Sequence, residues 1–222
     1  MQLFKDDAVS WLSTLADASV DLVITDPPYE SLEKHRKIGT TTRLKVSKAS
    51  SNPWFDIFPN ARFTELLQAI FRVLKPNAHF YLFCDQETMF VIKPLAEKVG
   101  FTFWKPIVWD KMCIGMGYHY RARYEFILFF EKGKRKLNDL AVPDILEFKR
   151  VYRGYPTEKP VPLLAQLIAQ SSNAGELVVD PFFGSGATLI AATELERRAM
   201  GCDIADDAHA TARQRYLAVT GE

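Results

Sequence analysis

The stretch VVDPFFGSGATLIAA, residues 178–192, runs from β-rich valines through an acid and a glycine turn into an apolar helical pattern. Small residues at Gly184 and Gly186 let backbone N–H groups approach a ligand at a helix N-terminus, which implies a nucleotide-like cofactor. No GK[ST] follows, so a P-loop is excluded, and Leu189 occupies the place of the third glycine of the dinucleotide fingerprint. Asp203, 17 positions beyond Gly186, closes the next β-rich run, about where an acid bonds ribose hydroxyls in nucleotide-binding βαβ units. One ribose without a pyrophosphate is the economical expectation. The competing explanation, a strand-to-helix turn of purely structural value, leaves Asp203 without a purpose.

Working outward, short apolar runs alternate with helical patterns. VDLVIT (20–25), HFYLFC (79–84), FTFWKPIVW (101–109), YEFILFF (124–130), ELVVD (176–180) and AMGCD (199–203) read as strands. Phe63, Leu66, Leu67, Ile70, Phe71 and Leu74 form one apolar helical stripe that ends before Pro76. Further helices are expected at 85–99, with Pro94 in its interior, and at 160–171, 187–198 and 206–219. The alternation predicts an α/β fold with a mostly parallel sheet, in which 101–109 and 124–130 form an antiparallel pair. With 222 residues and 48% hydrophobic content, a single domain over 1–222 is expected.

Net charge is only +1, so any surface for nucleic acid must come from local segregation. Segment 30–53 concentrates Lys34, Arg36, Lys37, Arg43, Lys45 and Lys48, and 131–158 is a second long connection; both are candidate target-contacting loops. Residues 111–124 interleave Lys111, Arg121 and Arg123 with Tyr118, Tyr120 and Tyr124 and contain no acid, a mixture suited to phosphates and unstacked bases. A solvated hairpin with partly buried aromatics is the plainer alternative. The three cysteines are too dispersed for a disulfide framework or a zinc site, so no metal is expected and a reducing, cytoplasmic setting is. No stretch approaches a membrane span or a signal peptide.

At the other end of the chain, ITDPPYE (24–30) ends an apolar strand in an acid, two prolines and an aromatic. Strands of open α/β sheets deliver ligand-contacting groups at their carboxyl ends, where Asp26 stands. Pro27 and Pro28 remove two N–H donors and fix φ, leaving the carbonyls there to point outward. Asp26 and the Pro27 carbonyl then form a pair of acceptors suited to a flat amine with two hydrogens, and Tyr29 can stack on a base. Such acceptors stabilise the positive charge that develops when a weakly nucleophilic ring amine attacks. A turn with a solvated Asp is the bland reading of this motif alone.

Taken together, DPPY and DPFFGSGAT resemble the S-adenosylmethionine-dependent amino-group DNA methyltransferases of the permuted β order, in which the catalytic motif precedes the cofactor motif. The resemblance extends over KDDAVSWLSTLADASVDLVITDPPY (5–29), LKP (74–76), VWDK (108–111), YEFILFFEKGK (124–134) and YPTEKPVPLL (155–164). It implies a Rossmann-like, mostly parallel seven-stranded sheet with one antiparallel strand and helices on both faces. It also implies that Asp180, Phe182, Gly184, Ser185, Gly186 and Thr188 hold the methionine part of the cofactor. Asp203 would hold the ribose, Asp7 would approach the adenine, and Thr157 and Lys159 would lie near the cofactor carboxylate. This chain departs from the pattern with Asp6 for glycine, Tyr155 for histidine and Ala187 for threonine.

The function so implied is methyl transfer to the amine of a base flipped out of duplex DNA, because a paired and stacked amine is inaccessible. Asp26, Pro27, Pro28 and Tyr29 are the catalytic candidates. An aspartate at the head of the motif favours adenine by family habit; the cytosine 4-amino group, RNA, a protein glutamine and a catalytically silent binding protein are the alternatives. None of the cysteines follows a proline as the nucleophile of ring-carbon cytosine enzymes does, and the zinc-deaminase signature is missing. Related enzymes often dimerise, though no periodicity here shows a homodimer.

Overall fold

The computed structural model describes residues 1–31, 56–115, 119–152, 154–155 and 157–221. Lys34, Arg36, Lys37, Arg43, Lys45, Lys48 and Tyr118 lie outside the described residues. In chain order the strands are β1 (Gln2–Phe4), β2 (Val20–Thr25), β3 (Leu74–Cys84), β4 (Thr102–Asp110), β5 (Tyr124–Lys132), β6 (Ile145–Glu147), β7 (Leu177–Asp180) and β8 (Arg198–Cys202). The helices are α1 (Ala8–Thr14), α2 (Phe63–Val73), α3 (Gln86–Val99), α4 (Val161–Ser171), α5 (Ala187–Glu194) and α6 (Asp206–Thr220).

Among the described residues, eight strands join one sheet in the order β1-β8-β7-β2-β3-β5-β4-β6, and of these only β5 runs against its neighbours. The expected antiparallel pair is therefore β4 with β5, and the expected seven strands are eight among the described residues. The two strands that sequence reading missed, β1 and β6, have three residues each, too few to display an alternation. Strand β6 also corrects the reading of 131–158 as one loop, since Ile145–Glu147 pair with Val108–Asp110. Within the same segment, Asn138 Nδ2 donates to the Ala169 and Ser172 carbonyls at 2.7 and 2.9 Å, tying it to the end of α4.

Central strands buried on both faces need apolar side chains at every position, which is why VDLVIT reads as a continuous run. Successive residues serve opposite cores: Phe80 and Leu82 of β3 pack with α1, α2 and α3, whereas Tyr81 and Phe83 pack with α4, α5 and α6. Among the described residues, three helices thus cover each face. Two prolines test these assignments. Pro94 sits inside α3, where the Phe90 carbonyl would lose its partner, and Phe90 is 75% exposed so water can replace it. Pro106 lies on β4 before the β6 pairing begins at Val108, on the edge where a missing N–H costs least.

Candidate active site

Parallel strands place their carboxyl ends on one edge of the sheet, and here three neighbours in the order β8-β7-β2 carry acids there: Asp203, Asp180 and Asp26. The antiparallel course of β5 brings its first residues to the same edge, which adds Glu125. One cavity of about 520 Å³ is walled by Asp26, Pro27, Tyr29, Glu125 and Lys159 on one side and by Asp180, Phe182, Gly184, Ser185, Thr188 and Asp203 on the other. Asp7, Pro28 and Thr157 also line it. The two motifs that lie far apart in the chain therefore share one chamber.

The glycine turn is held from two directions. Asp203 Oδ2 accepts the Gly184 N–H and its Oδ1 the Ala205 N–H, both at 2.9 Å, while the Asp203 carbonyl meets His209 Nε2 at 2.9 Å. Each carboxylate oxygen keeps a second lone pair, so Asp203 can still accept from hydroxyls. Gly184 has φ +49°, and a Cβ there would meet only the Tyr155 ring, at 3.5 Å. Gly186 serves packing instead: it has φ +76°, and a Cβ would stand 2.7 Å from Ala212 Cβ on α6. Among the expected cofactor residues, Gly186 does not line the cavity but caps α5. Sequence reading missed Arg215, which pairs with Glu158 at 2.8 Å and reaches the Ser185 carbonyl at 3.4 Å, binding segment 157–160 to the turn.

Asp180 is almost wholly buried, and this pushes its carboxyl up to about 7 despite hydrogen bonds from Thr188, Phe182 N–H and Thr25. The Thr25 and Phe182 donors both lie 3.0 Å from Oδ1. Asp7 has a different environment from the adenine contact expected of it. It caps α1, accepting the Val9 and Ser10 N–H groups at 3.1 and 3.2 Å, and takes both ends of the Arg62 guanidinium at 2.7 and 2.9 Å. Arg62 holds its carboxyl down at about 2. Asp7 thus faces the cavity with much of its accepting capacity committed to the fold.

At the DPPY end, the Pro28 carbonyl accepts the Phe58 N–H at 2.7 Å, whereas no donor among the described residues reaches the Pro27 carbonyl. Asp26 pairs with the Lys159 ammonium, which also stands 3.5 Å from Glu125; Glu125 in turn pairs with Lys111 at 2.6 Å. Burial raises Asp26, with Lys159 opposing and Glu125 adding to the rise. Burial also works against the Lys159 ammonium, but the carboxylates of Asp26 and Glu125 hold it above the usual lysine range. Glu125 is penalised by burial yet kept below its normal value by its two ammonium neighbours. Burial raises Tyr29 too, so its phenol stays protonated.

Lys159, expected beside a cofactor carboxylate, therefore rests against the catalytic candidate. Lys111, expected to meet DNA, is turned inward to Glu125 and is only 19% exposed. Arg123 pairs with Asp110 at 2.7 Å, which leaves Arg121 as the exposed cation of 111–124 without a carboxylate partner among the described residues. Glu125 was invisible as a site residue because YEFILFF reads simply as a core strand.

The family model N6_N4_Mtase, described as DNA methylase, matches residues 20–214. Type II methyltransferase M.HpaI of Haemophilus parainfluenzae is 28% identical over 96% of this chain and 73% of its own length. Among solved structures, the M1.HpyAVI–SAM complex superposes with a TM-score of 0.68 at 22% identity, covering 96% of this chain and 97% of that one. PvuII DNA methyltransferase, cytosine-N4-specific, reaches a TM-score of 0.76 at 16% identity over 97% and 86% of the two chains.

Proposed function

Since this chain belongs to the DNA methylase family, we propose that it transfers a methyl group to the 6-amino group of an adenine flipped from duplex DNA. The observation that carries the proposal is the single cavity that brings Asp26 and the Pro27 carbonyl together with the glycine turn and Asp203. S-adenosylmethionine is the family cofactor and supplies, when bound, an electrophilic methyl group on a sulfonium. The residues present suit it. Asp203 offers acceptors for ribose hydroxyls, Asp180 is a buried acid fit to meet an ammonium, and Phe58 and Phe182, 5.2 Å apart between ring centroids, furnish an apolar wall.

Asp26 accepts one hydrogen of the amine and the Pro27 carbonyl the other, which directs the nitrogen lone pair away from the ring system. As the nitrogen takes the methyl carbon, whose bond to sulfur would break with the electron pair staying on sulfur, the Asp26 carboxylate stabilises the charge on nitrogen until one amine proton is released to solvent, an effect of the kind that supplies much of enzymatic rate enhancement. Tyr29 stacks on the extruded base and helps to offset the lost stacking energy, a contact worth roughly 1–3 kcal/mol. No covalent intermediate with the protein is required. Aspartate at the head of DPPY supports adenine over cytosine, in keeping with the family habit. Arg121 and Arg123, with the basic segment 30–53, would supply the duplex contacts.

The test is transfer of labelled methyl from the cofactor to duplex DNA, RNA and protein in parallel, followed by digestion of the DNA to nucleosides. N6-methyladenine is the expected product. N4-methylcytosine would replace the adenine assignment, and label entering only RNA or protein would remove DNA as the substrate.

A further inference from the structure

Two acceptors suffice to hold an amine, yet Asp26 is surrounded by more charge than that task requires. Lys111, Glu125, Lys159 and Asp26 form an alternating row of cation and anion, drawn from the β4–β5 connection, β5, segment 157–160 and the end of β2. Glu125 has two ammonium neighbours and Asp26 has one. The remaining groups facing Asp26 are Tyr29 on its own segment, Cys84 at the end of β3, with Asp85 behind it, and Asp180 at the end of β7. None of these is a cation, so Lys159 is the only positive charge in contact with Asp26 among the described residues.

A cation in that place acts in two opposing ways. It keeps the carboxylate ionised in a buried setting, as acceptance of the amine hydrogen demands. It also repels the positive charge that grows on the amine nitrogen. An acid that draws the ammonium away as the amine arrives would retain the first effect and weaken the second. We propose that Lys159 is a positioning residue shared between Asp26 and Glu125, and that Glu125, anchored by Lys111, sets how much of the Lys159 charge the reacting amine meets. The proposal rests on Asp26 facing the amine, as argued above.

Removing each partner has a distinct consequence. In Lys159→Met, Asp26 loses its counter-ion and keeps the Glu125 carboxylate nearby, so protonation becomes easier. In Glu125→Gln, Lys159 is left to Asp26 alone, so Asp26 protonates less readily but the ammonium is no longer drawn off. The rate of transfer should then fall even where Asp26 is ionised. A residue that merely supported the fold would change neither the midpoint of Asp26 nor the shape of a pH profile.

The experiment titrates the ligand-free protein labelled with 13C at the aspartate carboxyl, with Asp26→Asn assigning the signal. It is paired with methyl transfer to duplex DNA from pH 5 to 9 and with calorimetric binding of the cofactor. Lys159→Met is expected to raise the Asp26 midpoint by about one unit or more and to move the acid limb of kcat/KM with it. Lys159→Arg should restore both. Glu125→Gln should lower the Asp26 midpoint and reduce kcat about tenfold, with cofactor affinity unchanged. Lys105→Met, at an exposed ion pair with Asp144, is the control that shifts nothing.

An unmoved Asp26 midpoint in Lys159→Met, or full kcat in Glu125→Gln, would overturn the proposal. Glu125→Gln preserves side-chain volume and carries the test alone if Lys159→Met fails to fold. Should the titrations shift as expected while wild-type protein labels no DNA, the charge row stands and the assignment of substrate falls.

Discussion

Burial penalises the ionised form of Asp180, and its replacement offers a sharp test. Its carboxyl is buried and sits at about 7 in the folded chain against 3.8 for a free aspartate. At 1.36 kcal/mol per pKa unit, the difference corresponds to a cost on the order of 4 kcal/mol at pH above 7. The sign follows from proton binding. Between pH 4 and 7 the folded chain holds a proton that the unfolded chain has released, so stability from this group is full below about 4 and declines as pH rises through about 7. Asp180→Asn keeps an oxygen to accept from Thr25 and the Phe182 N–H and removes the charge. Urea unfolding of the ligand-free protein should find the variant more stable by about 2–4 kcal/mol at pH 8 and little changed at pH 4.5. The same substitution should weaken cofactor binding, and wild-type binding near pH 6.5 should release protons into the buffer if an ammonium meets the carboxylate. Parallel stability curves for the two proteins between pH 4 and 8 would refute the reasoning.

Four further outcomes are expected. Asp26→Ala should abolish methyl transfer while calorimetry still registers cofactor binding, because the carboxylate acts on the amine; near-normal turnover would remove its role. Gly186→Ala should destabilise the fold by about 2–4 kcal/mol, since its Cβ would press on Ala212 at 2.7 Å and φ is +76°, and a thermal melt checks this. Arg62→Ala should reduce the acid-side stability that Asp7 contributes, which is present above about pH 4 and is lost as pH falls through about 2, while the Val9 and Ser10 N–H bonds keep part of it; stability at pH 3 relative to pH 6 measures the change. Charge-neutral replacement of Lys34, Arg36, Lys37, Arg43, Lys45 and Lys48 should weaken duplex binding and flatten its dependence on salt; an unchanged slope would reassign segment 30–53.

The strand VDLVIT and the helical stripe from Phe63 were legible because burial on one or both faces forces a local pattern. The three-residue strands β1 and β6 were not, because they exist only by pairing with β8 and β4. Asp26 and Asp203 stood out because each follows a strand directly, at the sheet edge where ligands bind. Arg62 on Asp7 and Arg215 on Glu158 were hidden, since those partners meet only through folding.

The amino-acid order by itself determined the pair of motifs, the α/β alternation and the acceptor geometry of two prolines after an acid, because each is a property of neighbouring residues. Which charges surround Asp26 was decided only by tertiary structure. The antiparallel course of β5 delivers Glu125 to the edge where the parallel strands end, and Lys159 arrives across a separation of 133 residues. Electrostatic energy depends on distance through space and on burial, and neither quantity is written along the chain.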